Sequence, residues 1–369
     1  MRIVRIANYV GPRSGGMRTA LRELGAGYLA AGHEPVLIVP GARESDEMTP
    51  YGRVITLRGP VIPFTGGYRA LLRRRRVAAL LAELKPDRLE VSDRTTLRWT
   101  GRWAASHGVP SVMVSHDSVT ALLGGGLVGR LVADHLNRRS AGSYDRVVCT
   151  TAWAAAEFTR LGADNLTTVP LGVDLEAFSP SAASAAVRDT YAVSGQVLLV
   201  HCGRLSVEKK PRWSLTALES LRAAGVPAVL VVAGDGPLRR RLQRFARRRK
   251  LPVFFTGFIG ETARLAALLA SSDVAIAPGP AETFGLAALE ALACGTPVVV
   301  SEASALPEVA GSAGVAVAQD GFAAGVRTVL SWPVSSRRGA ARSRATELGW
   351  HAAVEGFLKV HDAQVMELK

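Results

Sequence analysis

The sequence predicts an α/β protein made of two doubly wound domains that face each other across a cleft. Its 369 residues exceed one ordinary domain of roughly 100 to 200 residues. Short apolar runs alternate with longer segments of helical period, which is typical of parallel strands joined by helices. The alternation breaks at 168–180, a segment with two prolines and a glycine, and then restarts. We therefore predict Rossmann-like domains at 1–172 and 173–349.

Each predicted strand is a short apolar run, and helices fill most of the gaps between the runs. In the first domain we expect strands at 2–7, 35–39, 54–57, 88–91, 111–115 and 146–150. In the second domain we expect strands at 197–202, 228–233, 253–256, 274–277 and 298–300. Ligands of such sheets lie at the carboxyl ends of the strands, so the loops that follow these runs are the places to look for chemistry.

Charge is the unusual feature of the composition. The chain has 45 Lys and Arg against 31 Asp and Glu, a net charge of +14. The excess extends over both halves and indicates affinity for a polyanion: a membrane surface, nucleic acid or phosphorylated ligands. Cys149, Cys202 and Cys294 form no Cys-x-x-Cys pair, so we expect a reducing cytoplasm rather than disulfides or thiolate zinc. No run has the length of a signal peptide or membrane span, which predicts a soluble or surface-bound protein.

Several common catalytic motifs are absent from the sequence. There is no Gly-Lys-Ser/Thr P-loop, no Gly-x-Gly-x-x-Gly directly after a predicted strand, no Gly-x-Ser-x-Gly, no His-Glu-x-x-His and no Asp-x-Asp. A kinase, a simple NAD enzyme, a hydrolase and a metalloprotease are all disfavoured. We expect a site that handles pyrophosphate without a metal ion or other cofactor.

The segment 277–300 is the most informative. A predicted strand ends at Pro278, the next loop carries Glu282, and we expect Thr283 to cap a helix that contains Glu290. The first free N–H groups of that helix would belong to Phe284, Gly285 and Leu286, and such a helix start binds anions. The alternative is a pair of surface glutamates on a core helix. The Pro-Gly-Pro sequence before this segment and the Cys-Gly-Thr-Pro sequence after it favour a ligand that is bound by both glutamates.

Loops after neighbouring strands add further candidates. Arg204 and Lys209 follow the first strand of the second domain and can neutralise a leaving diphosphate without metal, although either could be a solvated loop charge. Gly234 and Gly236 follow the next strand, either as part of a nucleotide pocket or as a plain turn. In the first domain, Gly15 and Gly16 follow strand one, and their N–H groups can approach a phosphate or sugar. Asp93 and His116 follow two later strands, where structural and functional roles are equally open.

Two basic runs need an explanation. Arg73, Arg74, Arg75 and Arg76 spread over about 300° of a helix, so they cannot share one solvated face, and with Leu71 and Leu72 they could rest on anionic lipid. For the second run, at 239–250, we favour a solvated face. Nucleic-acid binding is the rival for both runs, but they lack interleaved aromatic residues.

The sequence resembles retaining glycosyltransferases of family 4, which have the two-domain GT-B fold. Arg204, Lys209, Glu282 and Glu290 match the motif positions of that family. More narrowly, Gly-Pro-Arg-Ser-Gly-Gly, Thr-Gly-Gly-Tyr-Arg-Ala, Glu-Val-Ser-Asp-Arg and Ala-Pro-Gly-Pro-Ala-Glu-Thr-Phe-Gly-Leu-Ala-Ala-Leu-Glu resemble the actinobacterial phosphatidylinositol-dimannoside mannosyltransferases. Beyond about Val309 only the general family pattern is visible, with 350–365 similar to the final helix that crosses back to the first domain.

The resemblance implies a role for each matched position. Glu282 and the amides of 283–286 would hold the donor hexose, Arg204 and Lys209 the diphosphate, and Glu290 the ribose. Gly15 and Gly16 would approach the sugar-phosphate region, and His116 the transferred sugar. The reaction would retain anomeric configuration without a protein nucleophile.

Three functions stay open on the sequence alone. The first is mannosyl transfer from GDP-mannose to a phosphatidylinositol mannoside at the inner face of the plasma membrane. The second is transfer from another nucleotide sugar to a soluble acceptor, and the third is a non-enzymatic nucleotide-sugar or polyanion-binding protein. The third function is disfavoured because a protein that only binds a ligand does not need residues that stabilise a leaving diphosphate. The sequence keeps all four of the matched residues, Arg204, Lys209, Glu282 and Glu290.

Overall fold

A computed structural model describes residues 1–10, 15–62, 67–123 and 126–366. The chain divides into two compact units, Met1–Gly172 with Trp350–Lys369, and Val173–Gly349. The division falls inside the segment at 168–180 that interrupts the strand and helix alternation. Each unit has its own sheet of mostly or entirely parallel strands and its own apolar core.

The first unit is built on a sheet of eight strands within the described residues, in the order β3-β4-β2-β1-β5-β6-β7-β8. All neighbouring pairs are parallel except β3 with β4. The elements are β1 (Arg2–Ile6), α1 (Gly16–Ala30), β2 (Glu34–Gly41), β3 (Ser45–Thr49), β4 (Gly52–Arg58), α2 (Arg74–Leu84), β5 (Arg88–Val91), α3 (Trp99–Ser106), β6 (Ser111–Ser115), α4 (Val119–Leu122), α5 (Leu127–Ala141), β7 (Arg146–Cys149), α6 (Ala152–Thr159) and β8 (Leu166–Thr168).

The second unit has six parallel strands among its described residues, in the order β11-β10-β9-β12-β13-β14. The elements are α7 (Ala185–Tyr191), β9 (Val197–Cys202), α8 (Arg212–Ala223), β10 (Ala228–Ala233), α9 (Arg239–Arg248), β11 (Val253–Gly257), α10 (Thr262–Ser271), β12 (Val274–Ala277), α11 (Leu286–Ala293), β13 (Val298–Ser301), α12 (Leu306–Ala310), β14 (Gly314–Val317), α13 (Phe322–Ser331) and α14 (Val334–Thr346). Strand β10, Ala-Val-Leu-Val-Val-Ala, is buried along its whole length, as a parallel strand covered on both faces should be.

The predicted α/β class is confirmed, and every predicted strand is present. The sequence analysis missed β3, β8 and β14, and each of them lies at an edge of its sheet. Edge strands have one neighbour and need little apolar sequence: β3 is Ser-Asp-Glu-Met-Thr and largely exposed, and β8 has three residues.

A final helix, α15 (Trp350–Met366), belongs to the first unit and packs against α1. The fit is close, because a Cβ added to Gly27 of α1 would lie 2.3 Å from Val354 Cγ2. His361 of α15 contacts the buried carboxylate of Glu90 at 3.2 Å, which Arg5 also binds at 2.8 Å. Burial by itself raises the pKa of Glu90, but Arg5 and His361 outweigh it and hold that pKa well below its ordinary value.

Candidate active site

The topology of the second unit marks one edge of its sheet as the place for a ligand. Strand β9 lies between β10 and β12, so the chain order reverses at β9. Ligands of open parallel sheets bind outside the carboxyl ends of the strands at such a reversal. The loops that leave this point are 203–211 after β9 and 278–285 after β12, and they carry the predicted Arg204, Lys209 and Glu282.

The structure brings Lys209 and Glu282 into direct contact. Lys209 Nζ donates to Glu282 Oε1 at 2.5 Å, and both side chains are partly exposed. The Glu282 backbone is held as well, because the N–H of Ala305 donates to its carbonyl at 2.9 Å. A Cβ on Gly279 would lie 3.2 Å from Glu282 Oε1, so the glycine of the Pro-Gly-Pro sequence leaves room for this carboxylate.

The start of α11 differs from the prediction. Thr283 does not cap this helix; the helix begins at Leu286, and Gly285 occupies the cap position with φ +89° and no side-chain cap bond. Only glycine adopts this left-handed conformation without strain, and a Cβ there would lie 2.2 Å from Leu306 Cδ2. Within the described part of the chain, the N–H groups of Phe284, Gly285 and Leu286, which were predicted to be free, donate to no backbone carbonyl.

Glu290 occupies a different environment from Glu282. It lies on the second turn of α11 and makes no side-chain hydrogen bond or ion pair with any described residue. Burial raises the pKa of Glu290 from 4.5 to about 8. Burial also raises the pKa of the Cys202 thiol, and Glu290 raises it further, which places the carboxyl beside the end of β9. The site thus combines an ion-paired glutamate with one that keeps its proton near neutral pH.

Gly234 and Gly236 have a structural reason to be glycine. The loops after β9 and β10 run side by side, with the N–H of Leu205 donating to the carbonyl of Asp235 at 3.0 Å. A Cβ on Gly234 would lie 1.8 Å from the Gly203 carbonyl oxygen, and one on Gly236 would lie 2.5 Å from that of Leu205. This packing fixes the backbone that carries Arg204, a partly exposed residue. A further part in nucleotide binding stays a prediction.

In the first unit, Asp93 and His116 both follow strands of the sheet. The Asp93 carboxylate accepts hydrogen bonds from Asn8 Nδ2 and from the backbone and hydroxyls of Thr95 and Thr96. Its lone pairs are fully used within the protein, so it orders the loop after β5. His116 is hydrogen-bonded with Ser92 Oγ at 3.1 Å, and burial lowers the pKa of His116, which favours the neutral ring.

The glycine-rich loop after β1 is described only in part. Residues 11–14 lie outside the described range, as do Thr65 and Gly66 of Thr-Gly-Gly-Tyr-Arg-Ala. Gly16 begins α1, and no atom of the described residues lies within 4 Å of a Cβ added to Gly15. The contact of Gly15 with a ligand stays a prediction.

The arginines at the start of α2 are all exposed, contrary to the argument that they cannot share a solvated face. Arg73 is the cap residue and Arg74, Arg75 and Arg76 form the first turn of the helix, where all four side chains are exposed. The predicted buried stripe of Val77, Leu80, Leu81 and Leu84 is confirmed. Leu72 is exposed, but Leu71 is buried, so Leu71 was wrongly expected to meet a lipid surface.

The basic run of α9 has the solvated face that we favoured. Leu242 and Ala246 are buried, whereas most of its basic side chains are exposed. No helix within the described residues has the length and hydropathy to cross a bilayer. Within the same residues, no three His, Cys, Asp or Glu side chains lie close enough together to hold a metal ion.

Sequence reasoning missed two contributors to this site. The contact between Lys209 and Glu282 joins residues 73 positions apart, and nothing in either motif signals that they pair. Leu306 lies against Gly285 and is the first residue of α12, the helix that follows β13. Leu306 has one indication in the sequence: it follows β13, the strand that neighbours β12 in the sheet.

Two α/β units, each with a sheet whose strand order reverses, have the architecture of GT-B glycosyltransferases. Two family models match the chain: "Glycosyl transferase 4-like domain" over residues 15–172 and "Glycosyl transferases group 1" over residues 196–331. The chain belongs to this glycosyltransferase family.

Among curated proteins, the chain is 52% identical over 376 aligned residues to a GDP-mannose-dependent alpha-(1-6)-phosphatidylinositol dimannoside mannosyltransferase of Mycobacterium tuberculosis, covering 100% of this chain and 98% of the relative. It is 29% identical to a GDP-mannose-dependent alpha-mannosyltransferase of Mycolicibacterium smegmatis, covering 92% and 90% of the two chains. Among solved structures, sucrose-phosphate synthase of Thermosynechococcus elongatus matches with a TM-score of 0.80 at 20% identity, covering 100% of both chains. Anabaena HepE with UDP-glucose matches at 0.75 and 18% identity, covering 99% and 100%.

Proposed function

We propose that this enzyme transfers an α-mannosyl residue from GDP-mannose to a phosphatidylinositol mannoside, with retention of configuration. The observation that carries the proposal is the 52% identity over full length to a phosphatidylinositol dimannoside mannosyltransferase. The Lys209–Glu282 ion pair at the reversal of strand order supports it, because a cation and a carboxylate there suit a sugar diphosphate.

The proposed mechanism stabilises a departing nucleoside diphosphate by fixed positive charge. Lys209 and Arg204 neutralise the diphosphate, and the carboxylate of Glu282 orients Lys209 and accepts hydrogen bonds from the hexose. Glu290, with its proton retained, can both donate to and accept from the ribose hydroxyls. The N–H groups of 284–286 face the sugar-phosphate region. As the acceptor oxygen bonds to the anomeric carbon on the face that the phosphate leaves, the bond from that carbon to the diphosphate breaks and the acceptor proton passes to the departing phosphate. No protein nucleophile takes part, and no metal is needed.

The first unit contributes the acceptor side in this proposal. Gly15 and Gly16 approach the sugar-phosphate region, and neutral His116 contacts the transferred sugar. We place the enzyme at the cytoplasmic face of the plasma membrane, where the exposed Arg73, Arg74, Arg75 and Arg76 meet anionic lipid. The carboxylate of Asp93 supports the loop beside the acceptor rather than the acceptor itself.

A transfer assay with the purified enzyme tests the proposal. We expect mannose from GDP-mannose to appear on phosphatidylinositol dimannoside in α-linkage, with UDP-glucose giving no product. Activity persists in EDTA, because Lys209 and Arg204 replace the metal. Lys209→Ala is the inactive control, and Arg240→Ala on the exposed face of α9 is the matched basic control that keeps activity. A β-linked product, a preference for another nucleotide sugar, or chelator sensitivity reversed by magnesium would contradict the proposal.

A further inference from the structure

Helix α5 of the first unit presents apolar side chains to solvent. Leu127, Val128, Leu131 and Val132 are 77%, 74%, 62% and 45% exposed. At about 100° per residue they lie within an arc of roughly 140° on one side of the helix. Contiguous exposed apolar residues of this kind mark an interaction surface.

The opposite side of α5 buries small and polar residues, namely Ala133, Asn137, Ser140 and Ala141. This is the reverse of the ordinary pattern for a helix packed on a core.

The rotation of α5 about its axis is fixed by hydrogen bonds to a buried arginine. Arg94 donates to Asn137 Oδ1 at 3.1 Å, and Ser140 Oγ donates to the Arg94 carbonyl at 2.7 Å. Arg94 is itself held by Glu157 at 3.1 Å. Turning α5 to bury its leucines would break these bonds and leave Arg94, Asn137 and Ser140 without these partners. The apolar surface is therefore a stable property of this helix.

The same side of α5 becomes basic toward its C-terminal end. His135, Arg138 and Arg139 are exposed, and helical geometry places them within the arc of the exposed leucines and valines. The carboxylate of the helix, Asp134, lies at the margin of this arc and is ion-paired with Arg160. We call residues 127, 128, 131, 132, 135, 138 and 139 the apolar-basic face.

Positive charge from other elements lies next to this face. Burial lowers the pKa of Arg98, and the nearby charges of Arg139, Arg102 and Arg74 lower it further. Arg139 ends the apolar-basic face, and Arg74 belongs to the basic start of α2. Each of the two basic surfaces thus has an arginine near Arg98, and positive charge beside an apolar surface suits a polyanionic partner with an apolar layer beneath it.

We propose that the apolar-basic face of α5 docks on an anionic lipid bilayer, with its leucine and valine end inserted at the boundary of headgroups and acyl chains and its arginine end on the headgroups. The proposal rests on the proposed function, since an enzyme with a lipid acceptor must work at a bilayer. Helices that lie in a membrane interface combine these two kinds of side chain on adjacent surfaces. Charge complementarity selects the bilayer over a second copy of this basic chain.

A fluorophore at position 131 tests insertion directly. The full chain with Leu131→Cys carries a polarity-sensitive label and is mixed with vesicles of equimolar phosphatidylglycerol and phosphatidylcholine. We expect a blue shift of emission and quenching by brominated acyl chains. Val193→Cys, at a residue 68% exposed in the second unit, is the matched control and shows neither, and labelled wild-type protein corrects for Cys202.

A variant pair separates the apolar contribution from the charge. Leu127→Ser with Leu131→Ser lowers the vesicle partition coefficient about tenfold or more, because each substitution removes several carbons that the bilayer would bury. This loss persists at high salt. Val193→Ser with Val334→Ser is the control and binds like wild type. Circular dichroism and GDP affinity show whether each variant is folded.

Three results would overturn the docking of α5. One is an emission spectrum at position 131 that vesicles leave unchanged while the protein co-sediments with them. A second is a double serine variant that partitions into vesicles as strongly as wild type. A third is a wild-type protein that sediments as a dimer while the double serine variant sediments as a monomer. The vesicles contain no acceptor and no donor, so insertion is measured apart from catalysis. Transfer to a short-chain, water-soluble acceptor reports the proposed function without the membrane.

Discussion

Glu282 forms an ion pair with Lys209, whereas Glu290 has no such partner among the described residues and is protonated near neutral pH. The two residues come from one motif and lie eight positions apart, yet they differ in charge state. An ionised carboxylate accepts hydrogen bonds and orients a cation, while a protonated one can also donate. We therefore expect their replacement to affect different parts of the donor.

Glu282→Ala should separate sugar binding from nucleotide binding. Without this carboxylate the Lys209 ammonium stays available to a diphosphate, so GDP affinity remains the same or rises slightly. The affinity for GDP-mannose falls by about tenfold, which corresponds to the loss of one hydrogen bond to a charged group. Calorimetric titration with both ligands measures this difference. Glu290→Ala is the comparison and weakens both ligands; equal losses for both ligands in Glu282→Ala would show that the assignment is wrong.

Glu290→Gln should stabilise the protein in a pH-dependent manner. Since the folded-state pKa of Glu290 is raised from 4.5 to about 8, the unfolded chain releases this proton first, and wild-type stability falls as pH rises between those values. Glutamine cannot ionise, so the variant gains about 1–3 kcal/mol over wild type at pH 8 and little near pH 4.5.

Urea unfolding at several pH values checks this expectation. Glu302→Gln, at an exposed carboxylate of the same unit, should show no such trend. A stability difference between Glu290→Gln and wild type that stays constant with pH would refute the raised pKa.

The positions of the candidate residues could be predicted, but their contacts could not. Arg204, Lys209 and Glu282 were found because they follow apolar runs, and parallel strands bring such loops to one edge. The Lys209–Glu282 pairing depends on side-chain directions in two loops far apart in sequence. Thr283 was expected as the cap because threonine is a common cap residue. The steric demand of Leu306 on Gly285, which shapes this helix start, has no local signal.

At the scale of elements, the close packing of α1 on α15 depends on one glycine. Gly27→Ala places a methyl group against Val354, and we expect a loss of about 1–3 kcal/mol in unfolding free energy from overpacking. Gly339→Ala in α14 is the matched control, because nothing lies within 4 Å of its added Cβ, and its helix propensity makes it neutral or slightly stabilising.

The midpoint of thermal unfolding measures both glycine variants. Val354→Ala combined with Gly27→Ala should recover part of the loss by removing the clashing methyl groups. If Gly27→Ala unfolds at the same temperature as Gly339→Ala, the contact between α1 and α15 is looser than described.

Core elements were predictable from sequence and edge elements were not. The buried stripe of α2 and the run of β10 follow from apolar periodicity alone. The edge strand β3 has almost no apolar residues because β4 supplies its hydrogen bonds from one side. For α5 the apolar periodicity would predict the wrong buried side. Asn137 and Ser140 face inward and bind Arg94, whereas Leu127 and Leu131 of the same helix are exposed.

At the scale of the whole molecule, the net charge is +14, but we expect the basic residues of the two units to contribute unequally to membrane binding. Replacing Arg73, Arg74, Arg75 and Arg76 with serine should reduce binding to anionic vesicles at least tenfold, because each arginine near a lipid surface contributes about 1 kcal/mol. Lipid mannosylation falls with it, and GDP affinity is unchanged. Wild-type binding weakens with salt, which screens exposed charges over about 10 Å at 0.1 M.

The second unit supplies a control of equal charge. Replacing Arg240, Arg241, Arg244 and Arg248 of α9, all exposed, with serine should leave vesicle binding near the wild-type level. If both serine variants co-sediment with vesicles as efficiently as wild type does, the α2 arginines are simply solvated. That result would favour a soluble acceptor.

The return of the chain at Trp350 to the first unit also sets an order of events during synthesis. Residues 173–349 form a continuous stretch and can fold once they leave the ribosome. The first unit emerges earlier but must wait for α15, because Gly27 stays uncovered and Glu90 lacks His361 until α15 has been synthesised. A chain released after residue 349 should therefore have a folded second unit and a first unit that is still open to proteases.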